Sequence, residues 1–253
     1  MGVRDLAYSL YERRLLASLD PLQVPHHVGV ILDGNRRWAK ASGTSASSGH
    51  RAGAEKIATL LEWCDDAGVE LVTLWLLSTD NLTRPGPELT PLLDIIEQVV
   101  TDLSACGKWR INPVGSLDLL PQHTAEILKA AAAETRNVDG LMVNVAVGYG
   151  GRQEIADAVR SLLAEHAEQG TSMQELSRML AADDISEHLY TKGQPDPDLV
   201  IRTSGEQRLS GFMLWQSAHS EYYFCEAYWP DFRRVDFLRA LRSYAQRHRR
   251  FGG

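Results

Sequence analysis

The stretch HVGVILDGNRRW, residues 27–38, decides the fold class of this chain. Residues 27–32 form a short apolar run, which is typical of a strand buried on both faces of a parallel sheet. Asp33 and Gly34 end that run, and a new helix is expected to begin after the glycine turn. In open α/β sheets ligands bind at the carboxyl ends of the strands, so we expect Asp33 to lie at a ligand-binding crevice.

The alternation of apolar runs and helical spacing continues on the C-terminal side of this stretch. Further strands are predicted at 69–78, 109–114, 142–147 and 198–202. Helices are predicted at 50–67, 87–103, 121–136, 152–166, 172–182, 185–190 and 235–248. This pattern predicts an α/β fold, a single domain with a central, mostly parallel sheet flanked by helices. The serine-rich residues 43–49 are predicted to form a flexible loop inside that domain.

Residues 1–26 are predicted to form an N-terminal amphipathic segment, which precedes one domain at 27–253. In the first twenty residues, leucines such as Leu6 and Leu10 are interleaved with arginines such as Arg13. Such a helix packs on its own domain, on a partner or on a membrane surface. The sequence contains no signal-peptide pattern and no apolar run long enough to span a membrane. We therefore expect a cytoplasmic protein, with peripheral contact at the inner face of the cell membrane as an open alternative.

Composition limits the classes of function. The 253 residues are 44% hydrophobic and 23% charged, which is typical of a globular protein and excludes a disordered, collagen-like or coiled-coil chain. The net charge of −7 argues against a general nucleic-acid binder, so we expect no nucleic-acid partner. The three cysteines are scattered, which argues against a disulfide framework or a zinc site. A small anionic ligand held by a few arginines is compatible with this composition.

Asp33, Gly34 and Arg37 form the first candidate binding group. Gly34 allows the backbone to approach an anion closely, and the amides at the start of the following helix point toward such a ligand. Arg37 can donate two hydrogen bonds to phosphate oxygens, and Asp33 offers the oxygen ligand that Mg²⁺ prefers. The alternative is an ordinary turn in which Asp33 caps the helix, and these residues alone do not decide between the two.

Three further polar groups stand at strand ends or among aromatic residues. Ser78–Asn81 follow the second strand, with Arg84 close behind, and they suit an anion or serve as ordinary loop caps. Arg202 and Arg208 follow the last predicted strand and suit a second phosphate group or surface salt bridges. Glu221 lies in an apolar, aromatic stretch, where a carboxylate is desolvated, bound to a ligand or part of a turn.

Taken together, these segments resemble the cis-prenyltransferase family, of the undecaprenyl diphosphate synthase type. The matching segments stand in the family's order, and they are residues 27–40, 49–53, 78–81, 144–152, 198–210, 214–216, 221, 229–232 and 249–253. The resemblance implies an enzyme that uses Mg²⁺ to condense isopentenyl diphosphate with an allylic diphosphate, forming a new Z double bond and releasing diphosphate. It also implies a hydrophobic tunnel between the sheet and the helices.

The resemblance implies a role for each matching residue. Asp33 and Asn81 are the implied catalytic residues, and Asp33 and Glu221 are the implied ligands of Mg²⁺. The backbone amides of residues 34–37, with Asn35, Arg37 and His50, are implied to hold the allylic diphosphate. Arg202, Arg208 and Ser210 are implied to hold the isopentenyl diphosphate, and Asn81 and Ser78 to lie near the proton lost from it. The tail resembles one that reaches the neighbouring subunit's site, so a homodimer is implied. The implied substrate-binding residues are Gly34, Asn35, Arg36, Arg37, Trp38, His50, Ser78, Thr79, Asp80, Arg84, Arg202, Arg208, Leu209, Ser210 and Arg250.

Two departures from the family pattern bear on binding and product length. Residues 45–48 read Ser-Ala-Ser-Ser where the family carries an arginine that grips the allylic diphosphate. Leu76 stands where long-chain members have a small residue at the tunnel wall, so elongation is expected to stop early. The pattern is especially similar to short-chain members of the mycobacterial type, which implies geranyl diphosphate as the primer and (2Z,6E)-farnesyl diphosphate as the product. The alternatives are a longer-chain decaprenyl or undecaprenyl diphosphate synthase and a non-catalytic partner subunit.

Overall fold

The computed structural model describes residues 3–19 and 23–251, and this part of the chain contains nine α-helices and six strands. The strands are β1 (His27–Ile31), β2 (Leu71–Ser78), β3 (Arg110–Val114), β4 (Met142–Tyr149), β5 (Leu199–Arg202) and β6 (Glu221–Phe224). The helices are α1 (Val3–Ser18), α2 (Asn35–Ala41), α3 (Ala46–Ala67), α4 (Gly86–Ala105), α5 (Gln122–Thr135), α6 (Gly151–Glu168), α7 (Met173–Met179), α8 (Ala182–Ser186) and α9 (Arg234–Phe251).

The strands form one sheet in the order β3-β4-β2-β1-β5-β6, and every neighbouring pair is parallel. The predicted α/β class, single sheet and flanking helices are therefore confirmed. The five predicted strands are all present, and β6 is an addition that the sequence pattern did not predict. It has only four residues, all of them partly exposed, and so lacks the continuous apolar run of the buried strands.

Helices cover both faces of the sheet because successive strand residues point to opposite sides. Val28 and Val30 of β1 belong to the larger core, which α3, α4, α5 and α9 complete with apolar side chains. Ile31 belongs to a smaller core on the other face, together with Tyr149 and Phe212. The carboxyl ends of β1, β2 and β5 are left at one edge of the sheet, where the candidate residues follow them.

Three local predictions are wrong in detail. Residues 46–49 belong to α3, so the predicted loop at 43–49 ends earlier. Ser45 explains the difference, because its Oγ accepts a hydrogen bond from the Ser48 amide at 3.1 Å and caps the helix. The helix predicted at 185–190 is α8, which begins and ends earlier, and the helix predicted at 172–182 is confined to Met173–Met179.

Helix α1 packs against α9 in this structure. The guanidinium group of Arg239 lies 5.5 Å from the centre of the Tyr11 ring, and Arg233 lies 5.5 Å from that of Tyr8. Leu15 is buried in the larger core. The division between segment and domain at residue 26 stays a prediction. Among the described helices, none combines the length and the hydropathy that crossing a membrane requires.

His27 is a fully buried histidine at the start of β1. Its Nδ1 lies 2.8 Å from the Pro195 carbonyl oxygen, and its Nε2 lies 2.8 Å from Oγ1 of Thr73. Burial lowers the pKa of His27 from 6.5 to about 4, although the Pro195 carbonyl and the Asp198 carboxylate oppose the shift. The ring is therefore neutral in the folded protein at pH 7.

This buried histidine predicts a loss of stability on acidification. The unfolded chain binds a proton near pH 6.5 and the folded chain only near pH 4, so stability is present above pH 6.5 and falls as the pH drops toward 4. Between pH 7 and pH 5 we expect His27 to account for a loss of about 2 kcal/mol. Urea unfolding of the wild type and of His27→Gln at both pH values tests this. Equal pH dependence in the two proteins would contradict it.

Candidate active site

A polar cleft opens at the edge of the sheet where β1, β2 and β5 end. Its volume is about 1720 Å³, including space open to solvent. Six cationic side chains and three acidic ones line it, so the cleft is positively charged although the whole chain carries −7. The polar residues that line it are Asp33, Gly34, Asn35, Arg36, Arg37, Lys40, His50, Ser78, Asp80, Asn81, Arg84, Arg202, Glu206, Arg208 and Ser210.

Asp33 lies at the centre of an arginine pair. Its Oδ2 accepts a hydrogen bond from Nη2 of Arg202 at 2.7 Å, and its Oδ1 lies 3.1 Å from Nη2 of Arg37. Burial alone raises the pKa of Asp33, but the hydrogen bond and charge of Arg202, with the charge of Arg37, outweigh it and lower the pKa. Asp33 is therefore a carboxylate at neutral pH.

The backbone of Asp33 is held by Thr203, the residue that follows β5. Oγ1 of Thr203 accepts a hydrogen bond from the Asp33 amide at 3.0 Å and donates to the Asp33 carbonyl oxygen at 2.7 Å. Thr203 is fully buried, so these bonds are shielded from water. The sequence analysis missed Thr203, because a threonine after a strand has no distinctive pattern.

The turn after Asp33 excludes the simple helix-cap alternative. Gly34, not Asp33, is the N-cap of α2, and no side chain caps the first turn of that helix. The φ angle of Gly34 is 108°, and a Cβ at this position would lie 2.8 Å from Cδ1 of Tyr228. Only glycine fits here, and the uncapped amides of α2 face an environment suited to an anion.

Arg202 and Arg208 belong to a network on the β5 side of the cleft. Arg202 is 4% exposed, so the alternative of a surface salt bridge does not apply to it. Its Nη1 donates to Oγ of Ser210 at 2.9 Å and also to the Arg208 carbonyl oxygen. Glu206 bridges two arginines. Its Oε1 accepts a hydrogen bond from Nη1 of Arg37 at 3.0 Å, and its Oε2 accepts one from Nη1 of Arg208. Glu206 is a second residue that the sequence analysis missed.

A second cationic group lies on the opposite side of the cleft. Glu88 lies 3.2 Å from Nη1 of Arg36 and 3.5 Å from Nη1 of Arg84. Nη2 of Arg84 donates to Oδ1 of Asn81 at 2.8 Å. Burial, and then the charges of Arg84 and Arg36, lower the pKa of His50 to about 4. His50 is thus neutral at pH 7, and its buried Nε2 has no hydrogen-bond partner among the described residues.

Three predicted binding residues do not line the cleft, and the side chain of a fourth is not described by the structure. Trp38 Nε1 donates to Asp231 at 2.9 Å, away from the cleft. The Thr79 amide donates to the carbonyl oxygen of Tyr149, and Leu209 packs on the smaller core. The side chain of Arg250 falls outside the described set.

Glu221 does not meet Asp33 within one chain. It is the first residue of β6 and pairs with Leu199 at the start of β5, whereas Arg202 at the end of β5 pairs with Phe224. Three strand steps, about 10 Å, therefore separate Glu221 from the edge where the cleft lies. Its Oε2 accepts a hydrogen bond from Arg247 at 2.7 Å instead. The predicted joint metal site of Asp33 and Glu221 is thus not formed by a single chain.

Asp33 is the residue of the cleft whose chemistry suits a bound Mg²⁺ ion. Its carboxylate supplies hard oxygen ligands and is 29% exposed toward the cleft. Within the residues that the structure describes, no three His, Cys, Asp or Glu side chains gather closely enough to hold a metal ion. Mg²⁺ commonly binds through one or two carboxylates plus substrate phosphates, and Asp33 fits that binding mode. The described residues do not form a site that coordinates the ion through protein ligands alone.

An apolar pocket of about 380 Å³ adjoins the polar cleft. Leu32, Leu76 and Leu92 border both, so a ligand with a charged head and an apolar tail can lie across the junction. The pocket runs between α3 and α4, where Ile57, Ile96 and other side chains line it. The hydrophobic tunnel between the sheet and the helices stays a prediction.

Comparison with known proteins gives one consistent family. The undecaprenyl diphosphate synthase family model matches residues 31–252. The chain is 66% identical over 246 residues to a (2Z,6E)-farnesyl diphosphate synthase of Thermobifida fusca, covering 97% of this chain and 96% of that one. It is 55% identical over 255 residues to the enzyme of the same name from Mycolicibacterium smegmatis, covering 99% and 97%.

A solved structure with the same fold is that of lavandulyl diphosphate synthase from Lavandula x intermedia in complex with dimethylallyl diphosphate. The TM-score is 0.82 at 33% sequence identity, and the match covers 88% of this chain and 96% of that one.

The Thr203 contacts predict that Thr203→Val loosens the Asp33 turn. Valine keeps the shape but leaves the Asp33 amide and carbonyl without these partners, so we expect the free energy of unfolding to fall by about 1–3 kcal/mol. Thr135→Val is the matched control, since Thr135 is also a buried threonine bonded to two backbone groups, of Ile111 and Ala131. Urea unfolding and calorimetric binding of inorganic diphosphate are measured for both. Unchanged diphosphate binding by Thr203→Val would contradict its role in the cleft.

Proposed function

This chain belongs to the undecaprenyl diphosphate synthase family of cis-prenyltransferases, and on that basis we propose that it condenses isopentenyl diphosphate with an allylic diphosphate. The favoured primer is geranyl diphosphate and the product is (2Z,6E)-farnesyl diphosphate. The observation that carries the proposal is the cationic cleft around Asp33, which adjoins an apolar pocket. That pairing matches substrates with a diphosphate head and a prenyl tail.

In the proposed reaction, the bond between C1 of the allylic substrate and its diphosphate oxygen breaks. A new bond forms between C1 and C4 of isopentenyl diphosphate, and a proton leaves C2 of the incoming unit. The departing diphosphate carries the negative charge that develops, so cationic donors fixed around it lower the barrier. Asn81 and Ser78 are proposed to lie near the proton that is lost, and a hydrogen bond from Arg84 to Asn81 holds that side chain.

The allylic diphosphate is proposed to lie against the start of α2. Arg37 and the uncapped amides after Gly34 would donate to its oxygens. Arg36 and Arg84 supply positive charge beside His50, and we propose that they replace the arginine that residues 45–48 lack. Two observations support this: Glu88 draws both guanidinium groups together, and both lower the pKa of His50.

The isopentenyl diphosphate is proposed to lie on the β5 side. Arg202 is already aimed by its bonds to Asp33 and Ser210, so little side-chain freedom is lost when an anion binds. Arg208 and Ser210 would complete this second group of donors. In this protein Arg208 forms an ion pair with Glu206, so a bound phosphate would compete with Glu206 for the guanidinium group.

Mg²⁺ is proposed as the cofactor, with Asp33 as the residue of this chain that would hold it. When bound, Mg²⁺ supplies positive charge that neutralises the departing diphosphate. Glu221 of the same chain lies too far along β6 to contribute. We also propose a homodimer, as the tail resemblance implies, and the outer side of the edge strand β6 is unpaired within the described sheet. A cytoplasmic location and peripheral membrane contact stay predictions.

Product identification tests the proposed reaction. The purified chain, supplied with geranyl diphosphate, isopentenyl diphosphate and Mg²⁺, is expected to give one fifteen-carbon Z product, detected by chromatography and mass spectrometry. Asp33→Ala, prepared in the same way, controls for contaminating synthases and should give no product. A ladder of decaprenyl or longer products would favour the long-chain alternative. No Mg²⁺-dependent turnover would favour the non-catalytic partner subunit.

Leu76 at the mouth of the apolar pocket predicts the product length. Truncation to Ala removes the side chain that borders both cavities, so Leu76→Ala is expected to give products longer than fifteen carbons. Each further isoprene unit buries about five carbons, at about 0.8 kcal/mol per buried CH₂. Leu128→Ala, in the buried face of α5 and away from the pocket, controls for general loosening of the core. If Leu76→Ala makes the wild-type product, Leu76 does not limit the product length.

A further inference from the structure

Ser204 has a backbone conformation that is unfavourable for serine. Its φ angle is 81°, in the left-handed region, and the residue is 8% exposed. For a residue other than glycine this conformation is strained. The next residue, Gly205, also has a positive φ of 74°, so the chain makes a left-handed turn directly after β5 and Thr203. A glycine at position 204 would adopt the same turn without this strain.

The side chain of Ser204 contacts Arg37, one of the arginines that line the cleft. Nη2 of Arg37 donates to its Oγ at 2.7 Å. The same Nη2 lies 3.1 Å from Oδ1 of the Asp33 carboxylate. One guanidinium nitrogen of Arg37 therefore contacts both the Ser204 hydroxyl and the Asp33 carboxylate. Ser204 itself is anchored by its amide, which donates to the Ala227 carbonyl oxygen at 2.7 Å.

The left-handed turn explains how two consecutive residues contact the same segment. In an extended strand, Thr203 and Ser204 would point to opposite faces of the sheet. Here Thr203 Oγ1 bonds the backbone of Asp33, while Ser204 Oγ bonds Arg37 four residues further along the chain. The strained φ of Ser204 thus turns both hydroxyls toward residues 33–37.

We propose that Ser204 is a positioning residue, which holds Arg37 beside Asp33 in the arrangement that receives the allylic diphosphate. Its backbone strain is retained because the hydroxyl must face Arg37. The role of the residue in catalysis rests on the proposed prenyl transfer, whereas its role in placing the anion-binding groups rests on the contacts alone. Glu206 holds the other side of Arg37, so loss of the Ser204 hydroxyl should shift the guanidinium group without releasing it.

Two variants separate the effect of the Ser204 hydroxyl from the effect of its backbone strain. Ser204→Gly removes the hydroxyl but also relieves the strained φ. Ser204→Ala removes the hydroxyl and keeps the strain, so it should be the less stable of the two. Both should lower kcat/KM for geranyl diphosphate by about tenfold or more, the effect of losing a hydrogen bond to a charged group. The KM for isopentenyl diphosphate should change less.

A double-mutant cycle identifies the partner. In an Arg37→Gln background, Ser204→Gly should cause little further loss, because the group that it positions is already gone. A purely structural role for Ser204 predicts instead that Ser204→Gly is fully active and more stable. That result would overturn the proposal, even if Ser204→Ala failed to fold.

Calorimetric binding of inorganic diphosphate keeps this test independent of the reaction. Ser204→Gly should bind it about tenfold more weakly than the wild type. If the wild type makes no prenyl product but Ser204→Gly loses diphosphate affinity, the proposed reaction fails and the positioning role survives. If Ser204→Gly binds diphosphate as tightly as the wild type, the positioning role fails whatever the reaction is.

Discussion

The cleft depends on the position of β1 between β2 and β5. Because the three strands are parallel, the residues that follow them meet at one edge, although they are far apart in sequence. The ion pair between Asp33 and Arg202 joins residues 169 positions apart and follows directly from this pairing. Arg202 is almost completely buried, so removing Asp33 would leave a charge with poor access to water. The central carboxylate therefore stabilises the fold as well as the cleft.

Residues that directly follow a continuous apolar run could be predicted from the sequence. The runs that became β1 and β5 are buried on both faces, so their ends, and with them Asp33 and Arg202, were placed at the correct edge. Glu221 shows the limit of this reasoning. It stands at the beginning of a short, partly exposed strand, and nothing in its neighbours indicates which end of that strand it occupies.

Contacts between distant loops could not be predicted either. Thr203 and Ser204 are small polar residues after a strand, which usually form ordinary turns. Their importance arises from what faces them, the Asp33 backbone and Arg37, and from a left-handed φ that sequence does not indicate. Similarly, Glu88 and Glu206 form ion pairs with arginines that the resemblance had assigned to substrate binding. These ion pairs could not be predicted from the sequence, because their members lie far apart in the chain.

The positive cleft in a negative protein has a consequence for the encounter with substrates. The acidic excess lies outside the cleft, so an approaching diphosphate meets repulsion at long range and attraction only near the strand ends. Physiological salt screens exposed charges beyond roughly 8 Å, and partly buried contacts are screened much less. Moderate ionic strength therefore weakens the repulsive field more than the arginine contacts. Anion capture by this enzyme should tolerate salt far better than capture by a uniformly basic surface.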